Sequence, residues 1–159
     1  MIDPDLRRSW LFGPGADAVA HDAMLASGAD ALIVDLEDFT PLPRRVEARA
    51  LLPRYVQRCR ERGLVAAVRI NQLDGDGSAD LAAAMATRPD VIALPMAEHA
   101  AQIAALDAAI AQWEIQLGIA PGTTEILPVC ETALGVADLR PIAAASARVR
   151  CALLGAEDL

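Results

Sequence analysis

Six short apolar runs, at residues 10–12, 31–34, 65–70, 91–94, 126–130 and 151–154, recur along the 159-residue chain. Each is continuous rather than alternating. Ala31-Leu32-Ile33-Val34 and Val91-Ile92-Ala93-Leu94 offer apolar side chains to both faces, the pattern of strands covered on both sides of a parallel sheet. Between the runs lie alanine-rich segments with helical spacing: Ile103, Leu106, Ile110, Trp113 and Leu117, or Val46, Ala50, Val56 and Cys59. The order is βαβαβα in one domain over residues 1–159. Gly28 and Gly63 stand where helices should end, Ser78 is placed to cap the helix around Leu81 to Met85, and Pro89 blocks its continuation. Pro53 falls inside the second helical pattern and predicts a kink or two shorter helices.

Alternating strands and helices leave an open doubly wound sheet or a (β/α)8 barrel. The polar residues favour the barrel. They gather after the carboxyl ends of four strands: Asp35, Glu37 and Asp38 after the second, Arg69 and Asn71 at the third, Glu131 after the fifth, Asp158 after the sixth. Barrel sites assemble there from many strands, whereas an open sheet binds ligands only near its switch point. A full barrel needs roughly 250 residues. The expected fold is therefore an α/β, TIM-type barrel of which this chain supplies about the first six βα units. Either a longer protein or another chain would complete it and cover the last apolar strand.

Composition narrows the chemistry. The net charge of −8 argues against nucleic acid as a partner. All 14 basic residues are arginine, so neither a Schiff-base nor a phosphate-loop lysine exists. No apolar stretch approaches the ~20 residues of a membrane span, and Met1 to Asp5 form no signal peptide, so the expected location is the cytoplasm. Cys59, Cys130 and Cys151 lack metal-type spacing and read as small buried hydrophobes. His21 and His99 lie in helical segments and read as packing or surface residues. Arg44, Arg45 and Arg49 read as a solvated helix face.

Glu131 and Asp158 each follow an apolar strand, where a carboxylate is either a ligand or a costly buried charge. Two such groups in one mouth suit a hard octahedral cation such as Mg²⁺; Glu131 equally suits the start of the next helix, favoured by the helix dipole. Asp35, Glu37 and Asp38 repel one another unless a cation or arginine compensates, and the alternative is a solvated loop with Asp35 in a salt bridge. Arg69 closes an otherwise uncharged strand and requires an anion, from the barrel or from a substrate. Phe12-Gly13-Pro14-Gly15 ends the first strand, where the glycines permit close backbone approach or a tight turn.

Together RSWLFGPG (8–15), DLED (35–38), VRIN (68–71), ALP (93–95), CETALGV (130–136) and LGAEDL (154–159) resemble, in order and spacing, the citrate lyase beta-subunit and malyl-CoA lyase family of the HpcH/HpaI aldolase superfamily. The resemblance spans the chain. It implies a (β/α)8 barrel that uses Mg²⁺ to cleave or form a carbon–carbon bond in a hydroxyacyl-CoA such as citryl-, malyl- or citramalyl-CoA. The products would be acetyl-CoA (or pyruvate) and a keto acid. Glu131 and Asp158 would hold the Mg²⁺. Arg69 would bind the keto acid, with Glu131 against it, and both would be catalytic. Asp35, Glu37 and Asp38 would surround the ion and its waters. Gly155, Ala156 and Glu157 would meet the substrate carboxylate through their backbone, and Phe12 and Gly15 would line the mouth. The family also implies a homo-oligomer, a trimer or hexamer, and Met96 stands where many members carry lysine. Thioester hydrolysis on the same scaffold, or a non-catalytic subunit, are the alternatives.

Overall fold

A computed structural model describes residues 2–157 and 159. Its elements alternate as the apolar runs require: β1 (Trp10–Pro14), α1 (Ala18–Leu25), β2 (Ala31–Asp35), α2 (Arg45–Glu61), β3 (Val65–Arg69), α3 (Gly77–Met85), β4 (Val91–Leu94), α4 (Ala100–Leu117), β5 (Glu125–Cys130), α5 (Ala133–Ala137), α6 (Leu139–Ala144) and β6 (Leu153–Leu154). The strands pair in parallel and in sequence order, β1 to β6. A doubly wound sheet reverses its strand order at the switch point. No reversal occurs among the described strands, which form a curled half-barrel.

The alternation of side chains across each strand separates two apolar layers. Leu32, Val34, Val68, Ile92, Leu94 and Ile126 face outward and share one core with helix residues such as Leu52, Tyr55, Leu81, Ile103 and Ile110. Ala31, Ile33, Val65, Ala67, Val91, Ala93, Leu127 and Val129 form a second, inner layer that no helix residue joins among those described. Helices thus cover one face only, and the other lines the concave side of the half-barrel. Burial of each large aliphatic side chain contributes roughly 1.5–3 kcal/mol, so this layering fixes which strand ends converge.

Five local expectations change. Helix α2 is continuous through Pro53; the proline is exposed, so the Arg49 carbonyl that loses a partner can turn to water. The buried face of α2 is Ala48, Leu52, Tyr55, Val56 and Cys59, while Val46 is 73% exposed and Ala50 is exposed. Asp76, not Ser78, precedes α3, and the Ser78 hydroxyl donates to the Leu73 carbonyl. Cys151 is exposed because it lies ahead of the two-residue β6 rather than within it, while Cys59 and Cys130 are buried. The arginine group also departs from a solvated face. Arg45 pairs with Asp76 at 2.8 Å and Arg49 with the buried Asp80 at 2.7 Å, tying α2 to α3. Among the described residues no helix is long and apolar enough to cross a membrane.

Candidate active site

Asp35 and Arg69 end β2 and β3 side by side in register. Both Asp35 oxygens accept from the guanidinium, from Nε at 2.8 Å and Nη2 at 2.6 Å. This is a bidentate fork, the strongest common geometry for this pair. The same carboxylate also accepts from the backbone N–H of Glu37 and of Phe39, both at 2.9 Å, which wraps the 36–40 turn over the strand end. Gly15 secures that turn from below: its N–H donates to the Asp35 carbonyl and to Thr40 Oγ1, both at 2.9 Å. A Cβ at Gly15 would stand 2.7 Å from the Asp35 carbonyl oxygen. Close packing against the protein's own chain accounts for that glycine, and it is not among the residues lining the mouth.

Two aromatic rings hold the other faces of Arg69. Its guanidinium carbon lies 5.2 Å from the centroid of Phe12 and 5.8 Å from that of Phe39, and the rings meet edge to face at 6.5 Å. With Nε and Nη2 given to Asp35, Nη1 faces the cavity, 3.2 Å from Glu37 and 3.8 Å from Glu131. Asp38 lies 3.5 Å from Nη2. Glu131 is 5% exposed, and its Oε1 accepts from the Met96 N–H at 2.7 Å. Gly155 packs on its stem, where a Cβ would come within 2.5 Å of the Glu131 Cβ. The groups surround a cavity of about 390 Å³ lined also by Trp10, Val129 and Leu153.

Four carboxylates therefore face one guanidinium. Glu37 registers the excess: burial, with the charges of Asp38 and Asp35, raises its pKa to about 7 against the pull of Arg69. Its Oε2 is buried and makes no well-aligned hydrogen bond among the described residues, only the 3.2 Å ion pair to Arg69 Nη1. Such an acceptor beside surplus negative charge fits a hydrated divalent cation. Among the described residues no three His, Cys, Asp or Glu are grouped closely enough to hold a metal by themselves. Asp158, expected as a metal ligand, lies outside the described residues. Mg²⁺ commonly takes one or two protein carboxylates and completes its shell with water and substrate, so Glu131 with one further carboxylate is a sufficient protein contribution.

Glu37 supplies a pH prediction. An unfolded glutamate loses its proton near 4.5, whereas Glu37 in the fold keeps it to about 7. The folded state binds that proton more tightly, so the stability it adds is full below pH 4.5 and is lost as pH rises to 7. Glu37→Gln is expected to flatten that slope and to raise Tm at pH 8 by about 2–4 °C, the equivalent of roughly 1 kcal/mol. Thermal melts in chelator from pH 5 to 8 check it; parallel curves for the two proteins would refute it.

Beyond the residues singled out from sequence, the site includes Phe39, Trp10, Val129 and Leu153 and the Met96 backbone. Phe39 was legible as the one aromatic directly after the DLED run. Met96 stood out from sequence only as the position where many family members carry lysine; nothing marked its backbone, whose φ of +46° places a non-glycine residue in the left-handed region. The histidines stand apart. His21 is buried, its Nε2 2.9 Å from the Pro14 carbonyl and its ring 5.3 Å from that of Tyr55. His99 caps α4.

The sequence profile of the HpcH/HpaI aldolase/citrate lyase family matches residues 8–159. Citrate lyase subunit beta of Escherichia coli K12 is 37% identical over 153 residues, covering 96% of this chain and 51% of that protein. L-malyl-CoA/beta-methylmalyl-CoA lyase of Cereibacter sphaeroides is 33% identical over 156 residues, covering 95% and 48%. The crystal structure of the protein CitE from Mycobacterium tuberculosis with magnesium, acetoacetate and coenzyme A superposes with a TM-score of 0.72 at 31% identity, covering 97% of this chain and 51% of that one. The chain spans about half the length of the curated relatives it matches.

Proposed function

Because the chain belongs to the HpcH/HpaI aldolase/citrate lyase family, we propose that its site serves a Mg²⁺-dependent carbon–carbon lyase acting on a hydroxyacyl-CoA of the citryl-, malyl- or citramalyl-CoA type. One observation carries the reading: Arg69 is clamped by Asp35 and two rings at the wall of a cavity, with Nη1 beside Glu37 and the buried Glu131. A guanidinium fixed in that way is preorganised for the carboxylate and developing carbonyl of a keto acid. Relatives that bind magnesium, acetoacetate and coenzyme A share the fold of this chain.

In this reading Glu131 and Asp158 hold the Mg²⁺, which when bound supplies Lewis-acid polarisation of the keto-acid oxygens. Glu37 and Asp38 order the water around it, while Asp35, each of whose oxygens already accepts from Arg69 and from a backbone N–H, holds the arginine in place. Cleavage takes the proton from the substrate hydroxyl, turns that carbon into the ketone, and leaves the electron pair of the broken bond on the thioester α-carbon as an enolate. Protonation of that carbon gives acetyl-CoA. Arg69 balances charge at the forming carbonyl, the backbone of Gly155 to Glu157 meets the substrate carboxylate, and Phe12 lines the entry. No step requires lysine.

Product analysis with citryl-, malyl- and citramalyl-CoA tests the proposal. The expected result is acetyl-CoA with a keto acid (oxaloacetate, glyoxylate or pyruvate respectively), lost together with calorimetric Mg²⁺ binding in Glu131→Gln and Asp158→Asn. Release of free CoA and the intact hydroxy acid would convert the reading to a thioesterase. Mg²⁺ binding unaffected by Glu131→Gln would overturn it in favour of a non-catalytic subunit.

A further inference from the structure

Glu131 owes its orientation to a piece of backbone that is itself held in a costly conformation. Met96 follows β4 with φ +46°, a region that costs a non-glycine residue on the order of 1 kcal/mol or more and persists only where neighbours impose it. Two glutamines from different elements impose it here. Gln72, in the β3–α3 loop, donates from Nε2 to the Pro95 carbonyl at 2.6 Å and to the Met96 carbonyl at 3.4 Å. Gln102, in the first turn of α4, donates from Nε2 to the Met96 carbonyl at 3.1 Å and to Gln72 Oε1 at 3.4 Å. Its Oε1 accepts from the N–H groups of Glu98 and His99 at 2.8 and 2.9 Å, completing a capping box. The carbonyls of the turn are thus drawn toward the helices. The Met96 N–H consequently points to the cavity and meets Glu131 Oε1 at 2.7 Å.

We infer that Gln72 and Gln102 form a positioning clamp that, through the strained Met96 amide, fixes the Glu131 carboxylate in its ligating orientation. The inference rests on the proposed role of Glu131 in holding Mg²⁺. Neither glutamine touches the cavity that contains Arg69 and Glu131, so both act at one remove. Groups that orient a metal ligand from behind typically change metal affinity about 10–100-fold when lost.

Gln102→Glu separates clamp from cap. The remaining carboxylate oxygens still accept from Glu98 and His99, and an acid in the first turn of a helix suits its dipole. The two Nε2 donations are gone, and a negative oxygen faces the Met96 carbonyl and Gln72 Oε1. Added negative charge would by itself draw Mg²⁺ closer, so a weaker affinity reports lost orientation. In the full chain, with Mg²⁺ titrated calorimetrically in oxaloacetate, Gln102→Glu is expected to weaken Mg²⁺ binding about 10–100-fold. Exchange of core-strand amides, rather than Tm, is the control for global stability, because the two lost donations themselves cost stability. In the metal-free protein the Met96 amide should exchange hydrogen at least about tenfold faster, a readout independent of any metal. Met96 exchange and Mg²⁺ affinity both unchanged would overturn the clamp. So would losses that occur only with faster exchange of core-strand amides such as those of Ile33 and Val68. Gln72→Leu leaves the cap untouched and must repeat the Met96 result if Gln102→Glu does not fold. If the wild type itself binds no Mg²⁺, the lyase reading fails while Met96 exchange still decides the clamp.

Discussion

Arg69→Met is expected to lower the unfolding free energy by about 3–5 kcal/mol, the usual cost of removing one partner of a buried ion pair. For a chain of this size that is a fall in Tm of roughly 6–20 °C. Asp35 is fully buried, and without the guanidinium only the Glu37 and Phe39 N–H groups would remain on its oxygens. The methionine would also vacate the space between Phe12 and Phe39. Glu37 shows the electrostatic part. Arg69 is the group that pulls its pKa down against burial, so the substitution drives that carboxyl still higher and the stability loss grows from pH 5 to pH 8. Chemical denaturation across that range measures both effects. A loss under 1 kcal/mol, independent of pH, would show that the fork contributes little to the fold.

At the opposite end of the strands, Arg148→Met is expected to cost a similar amount, about 3–5 kcal/mol. Arg148 precedes β6 and spans three structural elements. Nη1 and Nη2 grip both oxygens of Glu114 in α4 at 2.8 and 2.7 Å, and Nε reaches Asp107 at 2.6 Å. Nη1 also donates to the Thr124 carbonyl at 3.0 Å, just ahead of β5. Burial alone would raise the pKa of Glu114; the Arg148 fork and the amides of Thr124 and Gly122 overcome it and hold the carboxyl at about 2. Because that folded value lies below the ordinary 4.5, the stabilisation is present above pH 4.5 and is lost as pH falls toward 2. Arg148→Met should therefore shift acid unfolding to higher pH. Fluorescence-monitored acid titration of the two proteins decides it, and coincident midpoints would count against the network.

The apolar runs made the strand count and the barrel-like order readable because burial on both faces leaves no polar position to confuse the period. The helices were less legible. In α2, eight of its 17 residues are charged or glutamine, and the apolar positions Val46 and Leu52 differ only in which way the helix turns over the sheet. Choosing the exposed Val46 over the buried Tyr55 misplaced that face. Asp35, Arg69 and Glu131 stood out because charge at the end of an apolar strand demands a partner. The identity of each partner depends on register: Asp35 meets Arg69 because β2 and β3 align residue for residue. The left-handed backbone at Met96 and the glutamines behind it carried no signal, since neither residue type announces the backbone it is asked to hold.

The sequential pairing of the strands bears on how the chain reaches this state. Each strand docks against the one made just before it, after a single intervening stretch that contains at least one helix. As the chain leaves the ribosome, every new strand therefore finds its hydrogen-bonding edge already assembled, and no segment need wait for a distant one. Loop closure stays short at each addition, which keeps the entropic cost of every step small. The growing edge at any moment is the one the next strand will occupy, so the period in which that edge can recruit a wrong neighbour is limited to the synthesis of one connection.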